Sequence, residues 1–484
     1  MTYRPILKII DDSLVSQIYG QALEILDKLG VFFENEEALH LLQNNGLKPN
    51  NKGRVCFSPE LVNDALKSAP SSIQLYDREG EPAVDLGGDR VCFNPGSAAI
   101  NILDYDTNDM RQPTTSDYVS YAKLVNHLQH LWAQSTAMVC ADVPREIADC
   151  YRLYLALTHC SKPVVTGTFR KESFEVMKDL LIAVRGSEEK LRKKPLAIFD
   201  ACPSSPLRWS DLTSQSVIDA AKIGVPSEII SMPMMGANSP ATIFGTVVIQ
   251  TAESLSGIAL SQLASRGAPV IWGGSPSGFD MRHGTTPMGA IETMMIDCAY
   301  TQVAKSLNMP THAYMGLTDV KVLDVQGGFE TGIGAVLAAL SGINMISGPG
   351  MIDFESCFSL EKLVLDNDVC GMAYRLIDGV TNYEEVVTKD IIAEYEDKKQ
   401  LLSHPTTIEV YKKEFYFPST AVDRTTREQW AITKSNATQR AHEILEELVT
   451  KPSPSAISES KERKMREIMT EEAKKVGRKS FPEI

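Results

Sequence analysis

The sequence predicts a (β/α)₈ TIM barrel with helical segments appended at both ends. Three observations carry that reading. Eight short apolar runs follow one another between positions 91 and 348. Each run is continuous rather than alternating, as expected of parallel strands covered on both faces. Amphipathic stretches of helical length separate them, which is the repeat of a barrel built from strand–helix units. A doubly wound open sheet is the alternative, but it would carry a glycine fingerprint after its first strand, and no such motif occurs here.

The first ninety residues, 1–90, read as an appended segment. Helical periodicity runs over 13–29 and stops at Gly30. Further helices are predicted at 36–44 and 59–68. A hairpin-like stretch follows, broken at Gly80 and at Gly87-Gly88. The barrel is assigned to 91–364, with strands at 91–94, 133–140, 163–169, 196–202, 228–236, 269–275, 311–317 and 344–348. Several of these end in turn-forming groups, among them Asn94-Pro95-Gly96 and Gly348-Pro349-Gly350. The remainder, 365–484, is predicted to be a helical extension, with a linker of sequence KPSPSAISES inside it.

Composition narrows the function. The net charge of −14 argues against a nucleic-acid partner, which needs a basic face. No run reaches the eighteen or so apolar residues of a membrane span, and the first residues lack the pattern of a secretory leader. The nine cysteines are scattered and form no CxxC pair, so neither a zinc ribbon nor a disulfide framework is expected. These features together predict a cytoplasmic protein.

A barrel of this kind carries its chemistry at the C-terminal ends of its strands. No lysine sits at a predicted strand end, which disfavours a Schiff base. HxH, HExxH and GxSxG motifs are absent, so no bound metal or serine nucleophile is expected. The predicted mouth is instead rich in aromatic and sulfur side chains: Phe93, Phe169, Trp272, Tyr314, Phe354 and Phe358, with Met232, Met234 and Met235. Aromatic faces attract a quaternary ammonium at roughly 0.5–2 kcal/mol per contact. The competing reading makes each of these a core residue. In the loop GFDMRHGTTPMG, Arg282 and His283 either hold a substrate carboxylate or, through Asp280, simply shape the loop. His312 faces the interior as a ligand or a proton carrier, or it is a satisfied core histidine.

Five stretches carry a resemblance to a known family: NILDYDTNDMRQPT at 101–114, MMGANSPATIFG at 234–245, the DMR of Asp280, Met281 and Arg282, TDVKVLDVQGG at 318–328, and LAALSGINMISGPGMID at 337–353. In order and spacing they resemble the trimethylamine methyltransferase family over nearly the whole chain. The resemblance implies a (β/α)₈ barrel that moves a methyl group to a corrinoid (cobalamin) held by a separate corrinoid protein. Founding members of the family carry pyrrolysine. This chain has none, and so resembles the branch that acts on quaternary amines such as glycine betaine, proline betaine and carnitine. By the same resemblance the ammonium cage is expected from Trp272, Tyr314, Phe354 and Phe358, closed by Phe93 or Tyr105. The substrate carboxylate is expected at Arg282, His283 or His312, and homo-oligomers are expected in solution. The alternatives are a tertiary-amine methyltransferase, with His283 or His312 as proton donor, or a non-catalytic betaine-binding barrel.

Overall fold

In a computed structural model of the protein, residues 2–383, 386–478 and 480–482 are described; positions 384–385, 479, 483 and 484 of the predicted C-terminal extension lie outside them. Each of the eight apolar runs contains a parallel strand: β1 (Cys92–Asn94), β2 (Gln134–Ser135), β3 (Val164–Thr166), β4 (Ala197–Ala201), β5 (Ser227–Ser231), β6 (Val270–Gly274), β7 (His312–Tyr314) and β8 (Met345–Ser347). After them come helices α1 (Thr115–His127), α2 (Ala148–His159), α3 (Ser173–Arg185), α4 (Asp211–Ile223), α5 (Ile243–Ala264), α6 (Ile291–Ser306), α7 (Val325–Leu340) and α8 (Leu360–Ile377). The fold is mixed α/β.

Hydrogen bonding divides the strands into two arcs, a five-stranded sheet in the order β2-β3-β4-β5-β6 and a three-stranded sheet in the order β7-β8-β1. A parallel bridge between Trp272 and Thr311 links β6 to the chain entering β7. At the other seam the Trp132 N–H donates to the Phe93 carbonyl at 3.1 Å, and beyond it the Ala99 N–H donates to Ala137 at 2.8 Å. The ladder is thus two arcs that touch at both ends rather than one continuous sheet.

Side chains alternate across the strands as the pleat requires. Cys92, Val165, Ile198, Ile271 and Met345 point inward near the strand starts, and Ala133, just ahead of β2, joins them. They bury together with Ile73, Leu75, Val84 and Leu86. The last four belong to an antiparallel hairpin, Ser72–Tyr76 with Pro82–Gly87, so the predicted hairpin is a plug under the strands. The residues next in line, Phe93, Val164, Phe199, Trp272, Ala313 and Ile346, point outward into the main core with the helices.

Helix starts follow local chemistry. Ser210, Thr242, Asp324 and Ser359 each turn a side-chain oxygen back onto an N–H of the first turn. Helix α5 is long and apolar enough to cross a membrane by length and composition, with mean hydropathy 1.4, although polar residues interrupt it. However, 78% of that window is buried inside the protein, the behaviour of a core helix. It packs between the N-terminal helices Asp12–Lys28 and Pro59–Ser68 and its neighbours α4 and α6. Farther along, Ala437–Thr450 packs on α8 and α1, and Glu459–Lys475 packs on α2 and α3. All nine cysteines are free thiols.

Candidate functional site

At the C-terminal ends of the strands lies a cavity of about 490 Å³ whose wall includes Asp200, Phe169, Met232, Tyr314, Phe354 and Glu355. A wider cleft of about 790 Å³ adjoins it and shares Ala98 and Phe169 with it. Both open where the barrel rule places chemistry.

Carboxyls crowd around the cavity and its floor. Asp200 on β4 and Glu228 on β5 are register partners on adjacent parallel strands. Room for Glu228 comes from a glycine on the next strand, since a Cβ at Gly273 would stand 3.0 Å from the Glu228 Cγ. Glu228 is fully buried, and neither of its oxygens has a hydrogen-bond partner; the Asp200 Oδ1 is likewise unpartnered. Burial pushes Asp200 up to about 7. Burial and the neighbouring Asp200 hold Glu228 well above the carboxylate range. The same two causes raise Glu355 well above its ordinary value.

The nearest basic atom to Glu228 is Nδ1 of His312, at 3.6 Å. This is not an ion pair in the charged sense, because burial pushes His312 down to about 3. Its other nitrogen, Nε2, sits 2.9 Å from the Ser347 hydroxyl, which in turn donates to Asn94 Oδ1 at 2.8 Å. With that hydroxyl proton spent on Asn94, Nε2 carries the imidazole hydrogen and Nδ1 presents a lone pair to Glu228. A protonated Glu228 suits that arrangement.

Arg152, reaching in from α2, is the guanidinium of the cavity wall. It is buried: Nη1 donates to the Thr136 carbonyl at 3.1 Å and Nη2 to Gly167 at 2.9 Å, while Nε has no partner. The Phe169 ring covers its face at 4.2 Å. The far side of the cavity is an arc of three consecutive left-handed residues, Asp353, Phe354 and Glu355, with φ of 51°, 54° and 69°. Such conformations cost roughly 1–3 kcal/mol each and persist only where surroundings enforce them. Here the Asp353 N–H donates to Val320 at 2.8 Å, and Ser356 Oγ donates to Asp353 Oδ2 at 2.7 Å.

Sequence comparison places the molecule. The profile of a family described as trimethylamine methyltransferase (MTTB) matches residues 2–477. A trimethylamine methyltransferase of Desulfitobacterium hafniense (strain DSM 10664 / DCB-2) is 31% identical over 92% of this chain and 91% of its own. The chain belongs to the trimethylamine methyltransferase family. It is accordingly a methyltransferase. A glycine betaine methyltransferase of Desulfitobacterium hafniense (strain Y51) is 29% identical and covers 98% of both chains. In structure the fold is similar to that of the monomethylamine methyltransferase of Methanosarcina barkeri, with a TM-score of 0.53 at 12% identity over 92% of this chain and 89% of that one.

In this member of the trimethylamine methyltransferase family, the residues expected at the site divide sharply. Tyr314 and Phe354 line the cavity. His312 lies beneath it, with its ring 4.7 Å from that of Tyr314. The others are placed elsewhere. Phe93 points outward, edge-on to Tyr374 at 5.3 Å. Trp272 is also an outward position of its strand, and its Nε1 donates to Gln250 Oε1 of α5 at 3.2 Å. Phe358 packs into the core edge-on to Tyr121 at 5.3 Å, against Gly350, where a Cβ would strike its ring. Tyr105 stacks on His442 of the C-terminal extension at 3.6 Å. Arg282 and His283 are 81% and 70% exposed and both bind Asp280, so the loop-shaping alternative describes them. For Phe93 and Trp272 the reason is the period of two: an aromatic near a strand end still faces the helices if it falls on an outward position of the pleat. Asp200 was legible only as a strand end, and Glu228, Glu355 and Arg152 escaped the sequence reading. The usable signal was a carboxylate inside otherwise apolar strands, in AIFDA and SEIIS.

Proposed function

We propose that this methyltransferase moves a methyl group from a small quaternary amine to the Co(I) corrinoid of a partner protein. The observation that carries the reading is the cavity itself, which brings Tyr314 and Phe354 together with the Asp200 carboxyl, whose Oδ1 is unpartnered. Family membership and relatives named for trimethylamine and glycine betaine support a methylated nitrogen as donor. The wider cleft fits the acceptor's requirements, being open and partly apolar at Ile100, Val139 and Phe169. When bound, the corrinoid supplies the cobalt nucleophile.

The chain's own residues bind and orient. A quaternary nitrogen leaves as a neutral amine, so its departure needs no proton. Tyr314 and Phe354 hold the cation by their ring faces, and Asp200, once it loses its proton, balances its charge. Phe169 and Met232 in the wall beside the donor exclude water. A cation held mainly by aromatic faces is also released as its charge vanishes in the transition state.

The reading extends to architecture. The eight strands act as a closed (β/α)₈ barrel over 91–364, supported by the contacts at both seams, with 1–90 and 365–484 as flanking units. An exposed apolar stripe on α7 (Val325, Phe329 and Ile333) supports a homo-oligomer.

A second reading, transfer from a tertiary amine such as trimethylamine, draws support from Asp200, which holds a proton near neutrality. His283, expected as proton donor, faces solvent instead. The deciding experiment mixes the protein anaerobically with Co(I) cobalamin and single amines, following loss of Co(I) absorbance and release of the demethylated amine. Turnover with a quaternary amine supports the main reading. Turnover with trimethylamine alone replaces it.

A further inference from the structure

Beyond α8 the chain builds an arm. Helices α9 (Thr388–Lys398), α10 (Pro405–Glu414) and α11 (Arg427–Thr433) follow one another there, and no residue in any of the three is buried. The root is firm. Arg375, in the last turn of α8, donates to the Glu414 carbonyl at 2.8 Å and pairs with its carboxylate at 2.9 Å. The Tyr416 hydroxyl and the Ser419 N–H donate to Asp368 of α8 at 3.2 and 2.8 Å. Farther out, Tyr411 stacks on Phe415 at 5.3 Å, Phe417 meets Phe415 edge-on at 5.1 Å, and Arg424 lies over the Phe415 ring at 5.2 Å. Phe415, Phe417 and Trp430 wall a cavity of about 440 Å³.

Three features of this arm call for a cover. Helices shorter than roughly 12–15 residues are marginal in water unless an apolar face is packed. These three have 11, 10 and 7 residues. Second, of the twenty-seven exposed large apolar side chains among the described residues, ten lie in 387–432, with Leu402 and Ile432 more than four-fifths exposed. At roughly 100 Å² bare on each, the arm shows on the order of 1,000 Å² of apolar surface. That exceeds the about 300–600 Å² of the largest patch on a typical monomer and suffices for the about 800 Å² per partner of a stable interface. Third, eight acidic residues in 387–434 are matched by eight basic ones, so the net charge of −14 lies entirely outside it. Two copies of the chain repel over the rest of their surfaces and meet here without that penalty. A protein that docks only in passing would leave the short helices bare between visits. A second copy is always present.

We propose that a second copy of this chain covers the arm, the two arms packing on each other about a twofold axis. Exposed aliphatic side chains of each, Leu402, Ile408 and Ile432 among them, enter the aromatic cavity of the other, a self-complementary contact that closes on itself. The assignment rests on the reading of the protein as a homo-oligomer and names the face that joins the copies.

Sedimentation of the full chain at micromolar concentration is expected to give twice the single-chain mass, or a multiple of it. Ile408→Glu combined with Phe417→Glu, both at exposed positions, should halve that mass. Hydrogen exchange on the same variant should show the amides of α9 and α10 losing protection while those of β4, β5 and β6 keep theirs. Should the variant lose the strand protection as well, dilution of the unaltered chain decides the matter: arm protection must fall in step with mass. A chain that sediments as a monomer overturns the assignment together with the homo-oligomer reading. An assembly that keeps its mass in the arm variant overturns the arm alone. If Val325→Glu with Phe329→Glu then halves it, the α7 stripe is the joint and the homo-oligomer reading stands. Arm amides equally protected in the diluted monomer also overturn the proposal.

Discussion

Lys321 holds its ammonium 3.7 Å above the centroid of the Phe354 ring and 3.5 Å from the Asp353 carboxylate. A lysine of the protein thus already uses one aromatic face of the cavity wall, and it ties down the left-handed arc that presents Phe354 and Glu355. Replacing it with an uncharged residue of similar length isolates that role. Lys321→Met is expected to cost roughly 1 kcal/mol of stability, since a partly exposed cation–π contact and a half-exposed ion pair are each modest. The more telling readout is kinetic. KM for the methyl donor should rise, because the arc loses order, while kcat at saturation changes less.

Tyr314 offers a sharper dissection. Its hydroxyl sits 3.3 Å from Ser97 Oγ, and its ring faces the cavity. Tyr314→Phe keeps the ring and should change donor KM by no more than a few fold. Tyr314→Leu removes the π face and is expected to raise KM by roughly 3- to 30-fold, the equivalent of a 0.5–2 kcal/mol cation–π contact. Steady-state kinetics on both variants checks the difference; similar KM values would mean the ring only fills space.

The pH dependence of stability follows from two opposed groups. Asp200 titrates near 7 in the folded chain against an ordinary 3.8. Between those values the folded state binds a proton that the unfolded state has lost, so stability falls as pH rises from about 4 to about 7. His312 is pushed down to about 3 from 6.5. Below 6.5 the unfolded state gains a proton that the folded state refuses, so stability also falls as pH drops toward 3. Asp200→Asn is expected to gain stability relative to the wild type on going from acid to mildly alkaline pH. Urea unfolding at several pH values measures it, and a pH-independent difference would count against the assignment.

Trp272 and Arg282 provide the controls. Trp272→Phe removes the donor to Gln250 in a buried setting and is expected to cost about 1–3 kcal/mol. Donor preference should be untouched, because the ring faces α5 rather than the cavity. Arg282→Ala should leave stability essentially unchanged, as an exposed pair contributes little. Its KM for the methyl donor should match the wild type. A changed preference in either variant would bring those residues back to the site.

The sequence made the strands legible because each is a short apolar run between turn-forming residues, and all eight runs contain one. It did not make their facing legible. Phe93, Trp272 and Tyr314 are all aromatics at strand ends, yet only Tyr314 falls on an inward position of the pleat. Phe354 was found and Glu355 was not, because the arc that turns both toward the cavity depends on contacts with Val320, Ser356 and Lys321 across the fold. Arg152 was hidden for a similar reason. It lies inside a helix, and only the packing of α2 against β2 and β3 delivers its head to the wall.

The hairpin under the strands has a consequence for the order of turnover. Ile73, Leu75, Val84 and Leu86 fill the end of the strand array opposite the cavity, so traffic is confined to the strand-end face. Donor, methyl acceptor and spent amine then share one doorway. On the proposed function, an acceptor protein seated over that doorway would imprison the demethylated amine until it withdraws, making the amine the last to leave and coupling each release of product to the undocking of a whole protein.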